Sequence, residues 1–196
     1  MTHPIADPKT LQIAATHLSR NDPMLATVIP LFGLASILPH ENYYESLVDS
    51  IISQQLSVKA AHSIEQRFRD NYGGVLPTAQ QISTTDIEAL RSLGLSYNKG
   101  KYLLDLANHV LSGGLHFDTF TTLDNDAIVK ELTKIKGIGE WTAHMFLMFC
   151  MGRLDVLPVG DLGIRNGVQK LYGLTATPSP DDIRAIANKY NWQPYE

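Results

Sequence analysis

Residues 132–173 read LTKIKGIGEWTAHMFLMFCMGRLDVLPVGDLGIRNGVQKLYG, and this stretch decides the fold more clearly than any other part of the chain. Two apolar helical segments flank a glycine turn, Gly137-Ile138-Gly139, called the hairpin below. A lone acid, Asp161, stands where a third helix should begin. Glycine lets a backbone turn tightly and leaves its amide groups uncovered. The stretch therefore predicts a helix–hairpin–helix followed by a helix that opens on a carboxylate.

Helical patterns continue through the rest of the chain. Capping residues, in two places followed by proline, precede apolar stripes with helical spacing. No segment shows the sustained two-residue alternation of a half-buried strand. We expect an all-α domain of roughly ten short helices over residues 1–196, with a middle lobe of about 55–150 and a second lobe from the terminal helices. The expected helix starts are Asp7, Asp22, Asn42, Ser57, Thr85, Tyr97, Asp124, Glu140, Asp161 and Asp181.

Composition excludes several classes of protein. A net charge of −4 argues against a protein that coats nucleic acid without selectivity, although lysines cluster before the hairpin. These lysines are either a solvated helix face or a local basic surface. A single cysteine, Cys150, excludes an intramolecular disulfide, an iron–sulfur cluster and a cysteine-based zinc site. No apolar run is long enough to span a bilayer, and the start lacks the pattern of a signal peptide. We expect an intracellular protein, in the cytoplasm or nucleoid, or in the nucleus of a eukaryote.

The hairpin is the first candidate site. Exposed amides of Gly137 and Gly139, together with the positive end of the helix that follows, favour a phosphate group without sequence preference. We expect Ile138 to be buried and to anchor the turn. The alternative is an ordinary corner between two helices, because glycines at this spacing are weak evidence alone.

Asp161 is the second candidate, with two interpretations. Aspartate is a favoured helix cap that contributes about 1 kcal/mol, and local sequence alone favours that role. The same position would keep the carboxylate ionised, because a helix N-terminus stabilises negative charge. An ionised carboxylate can stabilise a sugar cation or accept a proton from water.

Aromatic and polar residues give weaker candidates. Trp141 and Tyr44 are either core residues or flat faces for a base turned out of a duplex. The polar segment Gln54-Gln55-Leu56, called the wedge loop below, is either a plain loop or a segment that fills a gap in stacked bases. The seven histidines have no metal-binding spacing, so we expect no catalytic metal.

Four stretches together resemble the 3-methyladenine DNA glycosylases of the helix-hairpin-helix superfamily, the group with a Gly/Pro-rich loop and an essential aspartate. The resemblance implies a two-lobed all-α fold and a monofunctional enzyme that excises alkylated purines, 3-methyladenine and 7-methylguanine, by base flipping and hydrolysis. Such an enzyme would act on double-stranded DNA as a monomer. It would need no cofactor other than a monovalent cation bound at the hairpin. The stretches are IISQQLSVKAAHSIEQRF (51–68), LRSLGLSYNKGKYLLDLA (90–107), LTKIKGIGEWTAHMFLMFCMGRLDVLPVGDLGIRNGV (132–168) and NWQPYE (191–196).

The resemblance also assigns roles to residues. Asp161 matches the essential aspartate, and Gly137, Ile138 and Gly139 match the phosphate-binding hairpin. The wedge loop, with Gln54, Gln55 and Leu56, matches the DNA-intercalating segment. Trp141 stands where bifunctional relatives carry a catalytic lysine, so we expect no lyase activity, which needs an amine. The alternative function is a non-catalytic binder of DNA structure or damage.

Two departures from the family pattern accompany the match. The sequence has no β-rich N-terminal domain of the kind found in the larger bacterial enzymes, so it resembles the compact branch of the family. Trp192, Pro194 and Tyr195 match the family pattern near its end, and the sequence then stops at Glu196. We therefore expect the family's C-terminal helix to be missing from this sequence.

Overall fold

The computed structural model describes residues 3–196 and is built from helices. Over that range it contains eleven α-helices and no strand; a single antiparallel bridge joins Ile5 and Arg153. No helix in the described range is both long enough and apolar enough to cross a membrane. The prediction of an all-α fold is confirmed. The helices are α1 Pro8–Asn21, α2 Pro23–Phe32, α3 Tyr43–Ser53, α4 Val58–Asp70, α5 Ala79–Ser83, α6 Ile87–Ser92, α7 Tyr97–Leu111, α8 Asn125–Leu132, α9 Glu140–Met145, α10 Leu162–Leu171 and α11 Pro180–Lys189.

Side-chain caps explain where most helices begin. Asp7, Asp22, Asn42 and Ser57 each accept a main-chain amide from the first turn of the helix that follows. Such an acceptor stabilises a helix by about 1 kcal/mol, because the first amides have no partner within the helix. These starts agree with the positions expected from sequence.

Two helices differ from expectation. The sequence analysis missed α5, a helix of five residues that begins after the capping box of Thr78. The helix after the hairpin was expected to begin at Glu140 and run without interruption; instead α9 gives way to a π-helical turn, Phe146–Cys150. There the amide of Met151 donates to the carbonyl of Phe146 at 3.1 Å, five residues back. A single turn with one extra residue changes the 3.6-residue apolar spacing too little to be predicted from the sequence.

The chain divides into two compact units. The middle unit is Asn42–Ala143, and the terminal unit combines the residues up to Glu41 with His144–Glu196. The middle unit therefore begins and ends earlier in sequence than the lobe of about 55–150 expected above. The division falls inside α9, so the hairpin belongs to the middle unit and Asp161 to the terminal unit.

In the middle unit α7 is the central element. It packs against α3, α5 and α6, while α3 also packs against α4. A fully buried Leu, Val, Ile or Phe side chain stabilises the fold by about 1.5–3 kcal/mol. The core therefore fixes the elements that carry the hairpin and the wedge loop. Its buried apolar side chains include Leu47, Val48, Ile51, Ile52, Phe68, Leu90, Leu103, Leu106, Leu132 and Ile135.

In the terminal unit an apolar cluster lies between α10 and α11. Val159, Val168 and Ile183 are its buried members. Val159 comes shortly before Asp161 in the chain, so burial of Val159 fixes the approach to the start of α10. The cluster thus positions the segment that carries the candidate carboxylate.

Candidate functional site

The hairpin forms a tight turn with one covered and one open glycine. Gly137 adopts φ +85°, a conformation that favours glycine, and a Cβ there would overlap the ring of Tyr102. Gly139 is exposed, and a Cβ built on it would have no neighbour within 4 Å. A ligand can therefore approach the backbone at Gly139, directly before the first turn of α9.

Ile138 anchors the turn, as the sequence predicted. Ile138 is only 3 % exposed, and its amide donates to the carbonyl of Ile135 at 3.1 Å. In this conformation the Ile138 amide is therefore used within the turn, whereas Gly139 is exposed to an external ligand. Phosphate binding by the Ile138 amide stays a prediction.

Three side chains brace the hairpin through contacts that no sequence pattern indicates. Asp105 Oδ2 accepts the main-chain amide of Lys136 at 2.9 Å, just before the turn. The ring of Tyr102 covers Gly137, and Gln54 Nε2 donates to the carbonyl oxygen of Gly137 at 2.8 Å. Tyr102 and Asp105 lie three residues apart on α7, which puts them on one helix face. The hairpin is thus fixed before any ligand binds.

The wedge loop divides into two parts. Gln54 caps the C-terminal end of α3 and turns its amide towards the hairpin, so it is not presented outward as the wedge assignment expected. Gln55 and Leu56 are both exposed. Gln55 adopts φ +56°, a conformation that non-glycine residues seldom take and that occurs often at functional sites.

A partly buried lysine holds the helix that leads into the wedge loop. Lys99 Nζ donates to the carbonyl of Ile52 at 2.8 Å, where α3 ends. Burial lowers the pKa of Lys99. A cation at this position also complements the negative end of the helix dipole. The contact is local to the loop, since Ile52 precedes Gln54 by two residues.

Trp141 is half-exposed, which removes the simple core interpretation. The residue is 52 % exposed and lies in the first turn of α9, two residues after Gly139. Its position next to the open glycine therefore leaves an aromatic face accessible beside the hairpin.

Tyr44 lies elsewhere and is not brought to the hairpin. It is the second residue of α3, about 15 Å along the helix from Gln54 at its other end. Its hydroxyl is buried, and within residues 3–196 it has no hydrogen-bond partner. Burial raises the pKa of Tyr44, and Tyr72 adds to that effect. Nine residues of helix separate Tyr44 from the loop that contacts the hairpin, and the pairing of Tyr44 with Trp141 in one pocket stays a prediction.

Asp161 is a helix cap in the structure. Its Oδ1 accepts the amide of Ile164 at 2.8 Å, in the first turn of α10. The side chain is only partly buried, and a Cβ at Gly163 would lie 2.9 Å from the same oxygen. Gly163 therefore keeps room for the carboxylate, a function that the sequence analysis did not anticipate. Capping and exposure coexist at Asp161, so the cap does not exclude a chemical role.

The sequence of the chain matches one protein family over most of its length. Residues 48–192 fit the model of the HhH-GPD superfamily base excision DNA repair proteins. The chain belongs to this superfamily. A curated relative, DNA-3-methyladenine glycosylase 1 of Schizosaccharomyces pombe, is 36 % identical over 87 % of this chain and 77 % of its own length.

Solved structures agree with this membership. DNA-3-methyladenine glycosidase of Bacillus halodurans superposes with a TM-score of 0.83 at 37 % identity, over 93 % of this chain and 83 % of that one. The 3-methyladenine DNA glycosylase Mag1 of S. pombe, in complex with abasic DNA, superposes with a TM-score of 0.77 at 33 % identity, over 93 % and 90 %. The resemblance to 3-methyladenine DNA glycosylases inferred from the sequence is thereby confirmed.

Proposed function

We propose that this protein is a monofunctional DNA glycosylase that excises alkylated purines, 3-methyladenine and 7-methylguanine, from double-stranded DNA in base excision repair. The observation that carries the proposal is the similarity of nearly the whole chain to proteins named 3-methyladenine DNA glycosylase, one of them in complex with abasic DNA. We propose that it acts as a monomer in the compartment that holds the chromosomal DNA.

The hairpin would bind the DNA backbone. Gly139 is exposed, so its amide and the N-terminal end of α9 can receive a phosphate oxygen without reading the base sequence. Lys136, whose side chain is 76 % exposed, supplies positive charge beside it. Ile138 acts as the apolar anchor of the turn. Such contacts determine position on the duplex and give similar affinity for all sequences.

The wedge loop would fill the space left by the extruded base, and Trp141 would contact the base itself. Flipping costs a few kcal/mol, least where damage has weakened stacking. Gln55 and Leu56 are exposed and would occupy the vacated stack. The exposed face of Trp141 would stack on the purine, with an added cation–π attraction for a base that methylation has made cationic.

Asp161 would act on the sugar. As the C1′–N bond of the nucleotide breaks, the bonding electrons leave with the purine and positive charge develops on the sugar. The carboxylate stabilises that charge, and it accepts a proton from the water whose oxygen bonds to C1′. The N-terminal end of α10 favours the ionised form that this role requires. A cationic methylated purine leaves as a neutral base, so no protein acid need protonate it.

The carbonyl oxygens of the hairpin have lone pairs that could bind a monovalent cation. The carbonyl oxygens of Ile135, Gly137 and Gly139 each accept one hydrogen bond already, from Ile138, Gln54 and Ala143. A carbonyl oxygen has two lone pairs, so each keeps one for a cation. The ion would supply positive charge near the DNA phosphate. We expect DNA affinity to differ between potassium and a bulky organic cation at equal ionic strength.

The absence of lyase activity follows from Trp141 at the position of the family's catalytic lysine. An indole cannot form the Schiff base through which a lyase cleaves the strand. Borohydride treatment should therefore trap no covalent adduct between this protein and a DNA product. A trapped adduct would assign the protein to the bifunctional glycosylases.

The decisive test is release of free base from a panel of DNA duplexes. Each duplex carries one lesion, 3-methyladenine, 7-methylguanine, hypoxanthine or ethenoadenine, and excision is followed under single-turnover conditions. We expect release of the methylated purines. Tight binding of damaged duplex with no release of any base would instead identify a non-catalytic binder.

A further inference from the structure

Gln54 links two elements that the proposed function directs to DNA. Its backbone caps α3 and leads directly into Gln55, the left-handed residue of the wedge loop. Its side chain donates from Nε2 to the carbonyl of Gly137 at 2.8 Å. One residue therefore belongs to the wedge loop through its backbone and holds the hairpin through its side chain.

We propose that Gln54 is a positioning residue that couples phosphate binding at the hairpin to insertion of the wedge loop. This inference rests on the proposed function, since it concerns how the two DNA-facing elements act together. It reassigns Gln54 from the intercalating segment to the support beneath it and leaves Gln55 and Leu56 as the exposed residues. Gln54 itself touches neither the base nor the sugar.

Local geometry makes the coupling rigid. Leu56 donates its amide to the carbonyl of Ser53 at 3.1 Å, which closes the turn around Gln55. Lys99 fixes the preceding turn of α3 by its contact with Ile52. With both ends of the loop fixed, a shift of the Gly137 carbonyl is transmitted through Gln54 to the residues that enter the stack. Coupling of two sites is reciprocal, so insertion of the wedge should also favour the hairpin conformation that binds phosphate.

Neighbouring contacts provide matched controls. Asp105 accepts the amide of Lys136 and so braces the hairpin, and it also contacts the side chains of Lys136 and His109, which lie outside the wedge loop. Lys99 braces the other element, through the carbonyl of Ile52. Loss of either contact should weaken one element directly and affect the other only through the bond that Gln54 makes. Loss of Gln54 should weaken the communication between the two.

The test is a double-mutant cycle on the full chain. Gln54→Met keeps the length of the side chain and removes the donor, and Gln55→Ala shortens the wedge. We measure the single-turnover excision rate on 7-methylguanine duplex and the Kd for a duplex with a stable abasic-site analogue. A single hydrogen bond of this kind corresponds to roughly a 2–10-fold effect, so Gln54→Met should slow excision by about that factor.

The expected signature is non-additivity. Gln55→Ala should cost at least about 3-fold less in the Gln54→Met background than in the wild type, for both the rate and the Kd. The control cycle, Asp105→Ala with Gln55→Ala, should show clearly less non-additivity, because Asp105 acts on the amide of Lys136 and reaches the wedge loop only indirectly, through Gln54. Additive effects in the Gln54 cycle, or equal non-additivity in both cycles, would overturn the coupling and reduce Gln54 to a structural brace.

Folding and function are separated by further measurements. Thermal unfolding shows whether the Gln54→Met variant is folded. If it is not, Gln54→Glu replaces it in the cycle, because glutamate has the same size and, when ionised, no hydrogen-bond donor. If the wild type excises no lesion, the proposed function fails, while the Kd cycle still tests the coupling on the abasic analogue. Excision by the wild type with an additive Kd cycle leaves the proposed function standing and refutes the inference alone.

Discussion

Two aspartates in the terminal unit are helix caps in different surroundings. Asp22 accepts the amide of Met24 at 2.8 Å at the start of α2, and Asp161 accepts the amide of Ile164 at 2.8 Å at the start of α10. Asp22 is 0 % exposed, whereas Asp161 is only partly buried and follows the exposed Gly160. One motif thus occurs in a buried and in an accessible setting.

The second carboxylate oxygen of Asp22 shows what the buried setting does. Asp22 Oδ2 accepts the hydroxyl of Tyr172 and the indole N–H of Trp192, the latter at 2.8 Å. These bonds tie the N-terminal helices to the end of the chain. With the amide of Leu25, which donates to Oδ1 at 3.2 Å, the buried carboxylate has four donors. It is structural, because its oxygens are occupied and water is excluded. Asp161 is only partly buried, so the comparison separates a buried structural cap from one that solvent can reach.

Replacing Asp22 should give the largest loss of stability. Asp22→Ala removes a cap and leaves the Tyr172 hydroxyl and the Trp192 indole without their acceptor. We expect the free energy of unfolding to fall by about 3–5 kcal/mol, measured by urea denaturation. Asp22→Asn keeps one acceptor oxygen and should lose less. A loss below 1 kcal/mol for Asp22→Ala would show that the buried network contributes little and would break the contrast.

Replacing Asp161 should affect chemistry and leave stability unchanged. Asp161→Asn keeps the capping oxygen and removes the charge, so we expect single-turnover excision to fall ~10²-fold or more, the scale of a general base. The free energy of unfolding and the affinity for undamaged DNA should stay near wild-type values. The loss should be smaller for cationic 7-methylguanine than for neutral hypoxanthine, because the charged base leaves more readily. Wild-type rates on every lesion would make Asp161 a cap and nothing more.

Gly163 tests whether the position of the Asp161 carboxylate matters. A Cβ there lies 2.9 Å from Asp161 Oδ1, so Gly163→Ala should displace the carboxylate by a fraction of an ångström. We expect excision to slow by about 10-fold, since catalysis is sensitive to such shifts. Gly167→Ala, in the same helix with open space around its Cβ, is the matched control and should leave the rate unchanged. Equal rates for both variants would mean that the carboxylate has freedom to move.

The smallest expected effect isolates the cap of α10. Asp161→Ala removes the acceptor for Ile164 that Asp161→Asn retains, so the free energy of unfolding should fall by about 1 kcal/mol relative to the asparagine variant. Excision by the two variants should be equally slow, because both lack the charge. If the alanine variant were as stable as the asparagine variant, the hydrogen bond from Ile164 to Asp161 would make no measurable contribution to the free energy of unfolding.

Local signals in the sequence were enough for most helices and for two candidate sites. Capping residues at Asp7, Asp22 and Ser57 located helix starts because capping depends on neighbours three residues away. The α5 helix was missed because five residues are too few for a helical period. The π-helical turn after α9 was missed for a related reason, since one extra residue changes the period only locally.

Contacts between distant residues were beyond such signals. Gln54 and Gly137 lie 83 residues apart in sequence, and Asp105 and Lys136 lie 31 apart. No periodicity connects these pairs, so Gln54 was assigned to the wedge together with Gln55 and Leu56. Tyr44 was assigned to a pocket for its aromatic ring, and only the tertiary structure shows that its hydroxyl is buried.

The sequence by itself determined the helical class, the tight hairpin around Ile138 and the carboxylate at the start of α10. It did so because glycine conformation, capping and apolar period act over a few residues. Only the tertiary structure decided which of the two aspartate caps is buried and which is accessible, and which glutamine supports the hairpin. Burial and long-range hydrogen bonds depend on which helices meet, and packing of the whole core determines that.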